Sequence, residues 1–357
     1  MLNNSLLGVF RRIGSMVAPK VTDSEGGRRY QVAPRTLADP ELIVRGNPGH
    51  AGHDEHGFRN CSPMERADMC VLGGALAYGA GVGAEQCWPA LLGWMTSKKV
   101  YNAALPGWGP MQAAMVLDRQ LDRQPTRLVL TLNSGDARRA FLCASRSAHP
   151  LARRFWRPEY ERITPSALLS KEMAARAYTL EKKSRPGATS AELLETLSDR
   201  NVPEFNRYEL RASRFYLSDG LARAVVAPES PATSAGLELV AKSVRYIAET
   251  ASERGVEVDV ALIPSREYLA FLRMHEADVR SPESLRALGE AENRMLSGIR
   301  QACENAGLRM HDLSAPLARR LGSRIFPQDS RDGHPNPKGC RIIAETVNYL
   351  LAGTGRS

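Results

Sequence analysis

From residue 61 onward, short strand-like runs alternate with longer stretches in which apolar residues recur every three to four positions. The short runs fall at residues 67–73, 99–105, 127–132, 256–263 and 308–313. The run at 127–132 is near-continuously apolar, the character of a strand buried on both faces of a sheet. Between them, residues 85–98, 110–124, 231–254 and 281–306 carry helical periodicity, and 341–351 closes the series as a further helix. Such alternation predicts an α/β fold: a doubly wound, five-stranded parallel sheet whose functional groups lie at the carboxyl ends of its strands.

Two regions break the rhythm. Residues 137–230, rich in Arg and Glu, show helical stretches at 167–183 and 190–199 and few strand signals. They are expected to form a mainly helical insertion that leaves the third strand at its carboxyl end, as a cap over the site or as a surface embellishment. Residues 1–60 form the other exception. Leu2, Leu6, Val9, Phe10, Ile13, Met16 and Val17 recur at helical spacing, with Arg11, Arg12 and Lys20 on the polar side. This amphipathic helix suits docking on a protein surface, and peripheral membrane contact through residues 1–20 is the alternative. Residues 21–60 are Gly-, Pro- and Asp-rich, an irregular lead-in to the domain at 61–357.

At 357 residues and 43% hydrophobic, the chain can bury a substantial core. The apolar run ahead of Arg11 is too short for a membrane span or a secretory core, so a cytoplasmic location is expected. The six cysteines lack paired metal-ligand spacing and are expected to be mostly reduced and buried. A net charge of +9 favours anionic partners, but no nucleic-acid-binding motif accompanies it, so a solvated basic face is expected rather than a nucleic-acid partner. His50, His53 and His56, interleaved with Asp54 and Glu55, have the donors for a transition metal. Their Gly- and Pro-rich run fixes no common face, and a solvated loop without metal is the expectation.

Four segments, in order, resemble the SGNH (GDSL-type) hydrolase superfamily. Val71-Leu-Gly-Gly-Ala-Leu-Ala-Tyr-Gly79 is similar to the first block, Gly-Asp-Ser-φ-Thr-Tyr-Gly, where φ is apolar. Val100 to Gln112 is similar to the second, with Gly107 at the place of the glycine whose N–H serves the oxyanion. Leu130-Thr-Leu-Asn-Ser-Gly-Asp136 is similar to the third, in which a strand ends in Gly-Asn-Asp. Asp332-Gly-His-Pro-Asn-Pro337 is similar to the last, which supplies an acid and a histidine. His56-Gly-Phe-Arg-Asn60 and Ile263-Pro-Ser-Arg-Glu267 also resemble stretches of its bacterial branches.

The resemblance implies a flavodoxin-like fold and acyl-ester hydrolysis or transfer, often on carbohydrates, with no metal or organic cofactor. His334 stands at the general base and Asp332 at its acid. Ala75, however, occupies the nucleophile position, Gly74 that of the neighbouring Asp, and Gly135 that of the oxyanion Asn. Alanine carries no nucleophile, and an absent oxyanion donor alone costs about 10²–10³ in rate. The expected protein is therefore non-catalytic or strongly impaired, binding an acylated or carbohydrate ligand or a protein partner. Two alternatives remain: an active hydrolase or acyltransferase using Ser134 with His334, with Asn133 in place of the missing amide, or a membrane-surface or assembly scaffold.

Overall fold

The computed structural model describes residues 33–163, 205–210, 213–218, 230–276, 283–327 and 332–353. The amphipathic segment at 1–20 and the helical stretches at 167–183 and 190–199 lie outside these residues. Each of the five expected strands is present: β3 (Met69–Leu72), β4 (Val100–Asn102), β5 (Arg127–Leu132), β8 (Glu257–Leu262) and β9 (Arg309–Asp312). They form one parallel sheet in the order β4-β3-β5-β8-β9. Beyond its first residue β5 is buried throughout, as its unbroken apolar pattern requires.

The chain steps from β3 outward to β4, then crosses back past β3 to β5 and continues in that direction. Right-handed crossovers place the helix after β3 on one face and the helices after β4, β5 and β8 on the other. Contacts between helices agree. Pro231–Glu253 packs on Pro110–Met115, Asp136–Ala144 and Glu283–Asn305, whereas Trp88–Thr96 packs on the last helix, Pro337–Gly353. The reversal of direction opens a crevice at the carboxyl ends of β3 and β5, where folds of this strand order bind their ligands. One charged residue of the sheet is fully buried. It is Asp259 on β8, whose carboxylate meets His311 Nε2 at 2.8 Å and the guanidinium groups of Arg127 and Arg309.

Several boundaries differ from the sequence pattern for local reasons. The expected helix at 110–124 is two short helices, Pro110–Met115 and Leu117–Leu121. The last helix begins earlier, at Pro337, because Asn336 caps it: Asn336 Oδ1 accepts from Gly339 N–H at 3.0 Å. Within 137–230, helices Asp136–Ala144 and Pro150–Phe155 bury Phe141, Leu151 and Phe155 in the core. Residues 205–218 hold an antiparallel pair, β6 (Phe205–Leu210) and β7 (Ser213–Ser218). The lead-in also contains a hairpin, β1 (Thr36–Asp39) and β2 (Ile43–Gly46). Five cysteines are buried and Cys61 is exposed, all as free thiols. Among the described residues, no helix is long and apolar enough to cross a membrane.

Candidate functional site

At the end of β3 the chain passes through Gly73 and Gly74 into a single-turn helix, Ala75–Tyr78. Gly74 is there because nothing larger fits: a Cβ on it would lie 2.7 Å from the carbonyl oxygen of Trp108. An aspartate at this position would force the β3 and β4 loops apart. On the β4 loop, Gly107 adopts φ +89°, a left-handed conformation that glycine takes without strain. Its N–H has no acceptor among the described residues.

The β5 loop is held by a denser set of side-chain contacts. Asp136, 1% exposed, accepts from Asn133 N–H at 2.7 Å and from Arg139 Nη1 at 2.8 Å. Asn133 Oδ1 accepts from Gly135 N–H at 2.9 Å and from the same Arg139 nitrogen at 2.9 Å. Two donors on that atom identify it as oxygen, so the Asn133 Nδ2 amide must face away from them. A Cβ on Gly135 would sit 3.1 Å from Asn133 Oδ1 and 3.2 Å from Arg139 Nη1. The guanidinium thus fills the space into which an asparagine at 135 would project. Burial pushes the Asp136 carboxyl above the usual carboxylate range, partly offset by Arg139.

Ser134 is not joined to His334. It is 6% exposed, and its hydroxyl faces Glu292 on the Glu283–Asn305 helix. Glu292, 1% exposed, also accepts from Ser265 N–H at 2.8 Å and from the Ser265 hydroxyl. Desolvation drives its carboxyl up to about 7, against the opposing hydrogen bonds from Ser265 and Ser134.

His334 and Asp332 do form a pair. His334 Nδ1 lies 2.6 Å from Asp332 Oδ1, and the same oxygen accepts from His334 N–H at 2.9 Å. Nδ1 therefore carries the proton and Nε2 the lone pair. The hydrogen bond from His334 holds the Asp332 carboxyl below its ordinary value. The loop is anchored by Arg266, 2% exposed, whose Nη1 donates to the Asp332 carbonyl at 3.1 Å and whose Nη2 meets Glu267 at 2.9 Å. On the other side Gly81, just past the Ala75–Tyr78 helix, packs so closely that a Cβ there would be 3.3 Å from His334 Cβ.

The histidines of the lead-in do not converge on a metal site, and the loop is docked rather than solvated. His53 Nδ1 donates to Asn47 O at 2.9 Å, which leaves Nε2 to accept from the Tyr78 hydroxyl at 2.7 Å. Burial lowers its pKa, so the ring stays neutral near pH 7. His50 Nδ1 meets Ala33 O at 2.7 Å, and His56 is exposed beside Glu55. Among the described residues no group of three or more His, Cys, Asp or Glu side chains is placed to hold a metal ion. Asp54 instead ties the lead-in to β4. Its carboxylate accepts from His56 N–H, Phe58 N–H, Asn60 Nδ2 and the Tyr101 hydroxyl at 2.8–3.0 Å. Asn60 in turn is bonded to Asn102 at the end of β4.

The fold therefore brings Gly74, Ala75, Gly107, Asn133, Ser134 and Gly135 to the carboxyl ends of adjacent strands, and sets His334 and Asp332 on a loop against the first of them. Two residues that matter here are not singled out by the sequence pattern, Arg139 and Glu292, whereas Arg266 belongs to the Ile263–Glu267 stretch. Glu292 did leave a trace, since Leu285, Leu288, Glu292, Met295, Leu296 and Ile299 share one helical stripe, and a carboxylate on a core face needs a partner.

Strand order, crossover sense and loop placement define a doubly wound α/β protein with its cleft at the β3–β5 switch point. Solved structures that resemble it include an extracellular lipase from Streptomyces rimosus (13% identity, 80% of this chain and 99% of that one, TM-score 0.41). Phospholipase A1 from Streptomyces albidoflavus NA297 is another (13%, 82% and 100%, TM-score 0.40). A third is a lipolytic protein of the G-D-S-L family from Desulfitobacterium hafniense DCB-2 (12%, 80% and 99%, TM-score 0.36). At such identities the likeness is one of fold alone. No protein-family model and no curated protein matches the chain.

Proposed function

We propose that this chain is a non-catalytic binding protein on an SGNH-type frame, which holds an acylated or carbohydrate ligand, or a protein partner, in the cleft at the carboxyl ends of β3 and β5. The observation that carries this reading is the replacement of the oxyanion side by a structured cluster: Arg139, Asn133 and Asp136 interlock across Gly135, while Ala75 offers no nucleophile. Ser134 does not substitute for the missing serine, because its hydroxyl faces Glu292. The purified chain, incubated with short-chain aryl esters and with a serine-directed phosphonate, is expected to give neither turnover nor labelling. Turnover lost in Ser134→Ala or His334→Ala would overturn the reading.

The 2.6 Å contact between His334 and Asp332 favours one second reading, in which His334 Nε2 acts as general base on a water and the chain hydrolyses esters without a covalent intermediate. That reading predicts turnover with no phosphonate labelling, abolished in His334→Ala and preserved in Ser134→Ala.

A further inference from the structure

Arginine is an unusual occupant of the first turn of a helix, because the unpaired N–H groups there already present partial positive charge. The Asp136–Ala144 helix carries two, Arg138 and Arg139. Only one nitrogen of Arg139, Nη1, is engaged by Asp136 and Asn133; its Nη2 and Nε have no partner among the described residues, and its side chain is about one-third exposed. Arg138 has a buried Nε with no hydrogen-bond partner among the described residues, and burial first, then the neighbouring charges of Arg139 and Arg146, make its own charge harder to hold. Against these the loop sets a single carboxylate, Asp136. A buried, unpaired guanidinium donor next to a second cation is costly unless an anion arrives.

Two further donors lie on the loops at the same strand ends. The Asn133 Nδ2 amide, turned outward by the two donors on its oxygen, has no acceptor among the described residues. Arg139 bridges the loops: its Cβ lies 3.1 Å from where a Cβ on Gly109 would be, and its guanidinium lies against Gly135. The β4 loop that contributes Gly109 also contributes the unpartnered Gly107 N–H. A guanidinium edge and two neutral N–H donors suit a planar anion of single charge.

We infer that the cleft is a binding site for a carboxylate carried by the ligand, held by the free edge of Arg139 with the Asn133 amide and the Gly107 N–H. The inference rests on the non-catalytic reading and names the ligand's chemical class. A carboxylate has the planar shape of an ester but keeps its charge permanently, and a permanent cation matches it where a transient oxyanion would need only neutral donors. Asp136 offsets one of the two guanidinium charges of Arg138 and Arg139, which leaves a monoanion as the matched charge and makes a doubly charged phosphate the poorer fit.

The test uses the isotope-labelled full chain and follows the Gly107 amide and the Asn133 side-chain amide by NMR during titration with acetate, methyl acetate and inorganic phosphate. Acetate is expected to shift both resonances saturably, with phosphate at least several-fold weaker and methyl acetate without effect. In Arg139→Gln the acetate affinity should fall at least tenfold, and Arg139→Lys should recover part of it; unchanged resonances elsewhere in the spectrum show that each variant is folded. No acetate-dependent shift, equal shifts with methyl acetate, or tighter binding of phosphate would each overturn the carboxylate assignment. Conversion of methyl acetate to acetate and methanol in the same tube would overturn the non-catalytic reading instead, so the two failures are distinct.

Discussion

Replacing Glu292 by glutamine should remove a pH dependence from the stability of the whole chain. In the folded protein the Glu292 carboxyl titrates at about 7, against 4.5 for an exposed glutamate, because it is desolvated between the Glu283–Asn305 helix and the β5 and β8 loops. The native state therefore holds this proton more tightly than the unfolded chain does. The stabilisation is complete below the unfolded value and is lost as pH rises through the folded one. At about 1.4 kcal/mol per pH unit, the interval between the two values corresponds to about 3 kcal/mol. Glutamine keeps the side chain's shape, remains neutral, and its amide oxygen can still accept from Ser265 N–H. Urea unfolding followed by tryptophan fluorescence, run for both proteins from pH 4 to 8, isolates the effect. The difference in unfolding free energy, native sequence minus Glu292→Gln, should fall by about 3 kcal/mol across the range, with most of the change between pH 5 and 7. Parallel profiles would mean that Glu292 is not a buried, protonated strut, and would refute the reasoning.

Other consequences follow from the same contacts. Asp54→Ala deletes an acceptor shared by four donors, including the buried Tyr101 hydroxyl, and should lower unfolding free energy by about 3 kcal/mol or more in denaturant titration. Gly74→Asp, the exchange that would restore the aspartate of the first block, places Cβ against the Trp108 carbonyl; a loss of about 1–3 kcal/mol is expected by the same measurement, with Ala75→Ser as the near-neutral control. Arg266→Ala should cost about 3 kcal/mol, since it leaves Glu267 and the Asp332 carbonyl without their buried partner, whereas His334→Ala should cost under about 1 kcal/mol because the pair it breaks is half-exposed.

The five strands, their parallel arrangement and their connecting helices were legible in the sequence, because short strand-like runs alternate with helical stripes and the alternation leaves few topologies. The last block was legible too: an Asp two residues before a His can reach its Nδ1 within a single turn, and Asn336 followed by Pro337 marks a helix start by local chemistry. That Ala75 carries no nucleophile needed no structure. The contacts around Gly135 did need one. Arg139 and Asp136 are three apart on a helix and an ion pair between them is a local expectation, but that the guanidinium would reach over Gly135 and lie against Gly109 depends on how the β4 and β5 loops approach each other. The same holds for Ser134, whose partner is 158 positions away in sequence, and for the histidines of the lead-in, which look like a ligand cluster until His53 is seen to be occupied by Tyr78 and a backbone carbonyl. Local patterns fix which residues form each element and which chemistry a position can offer. Which side chain fills the resulting space is set by packing between segments distant in the chain, and only the tertiary structure decided it.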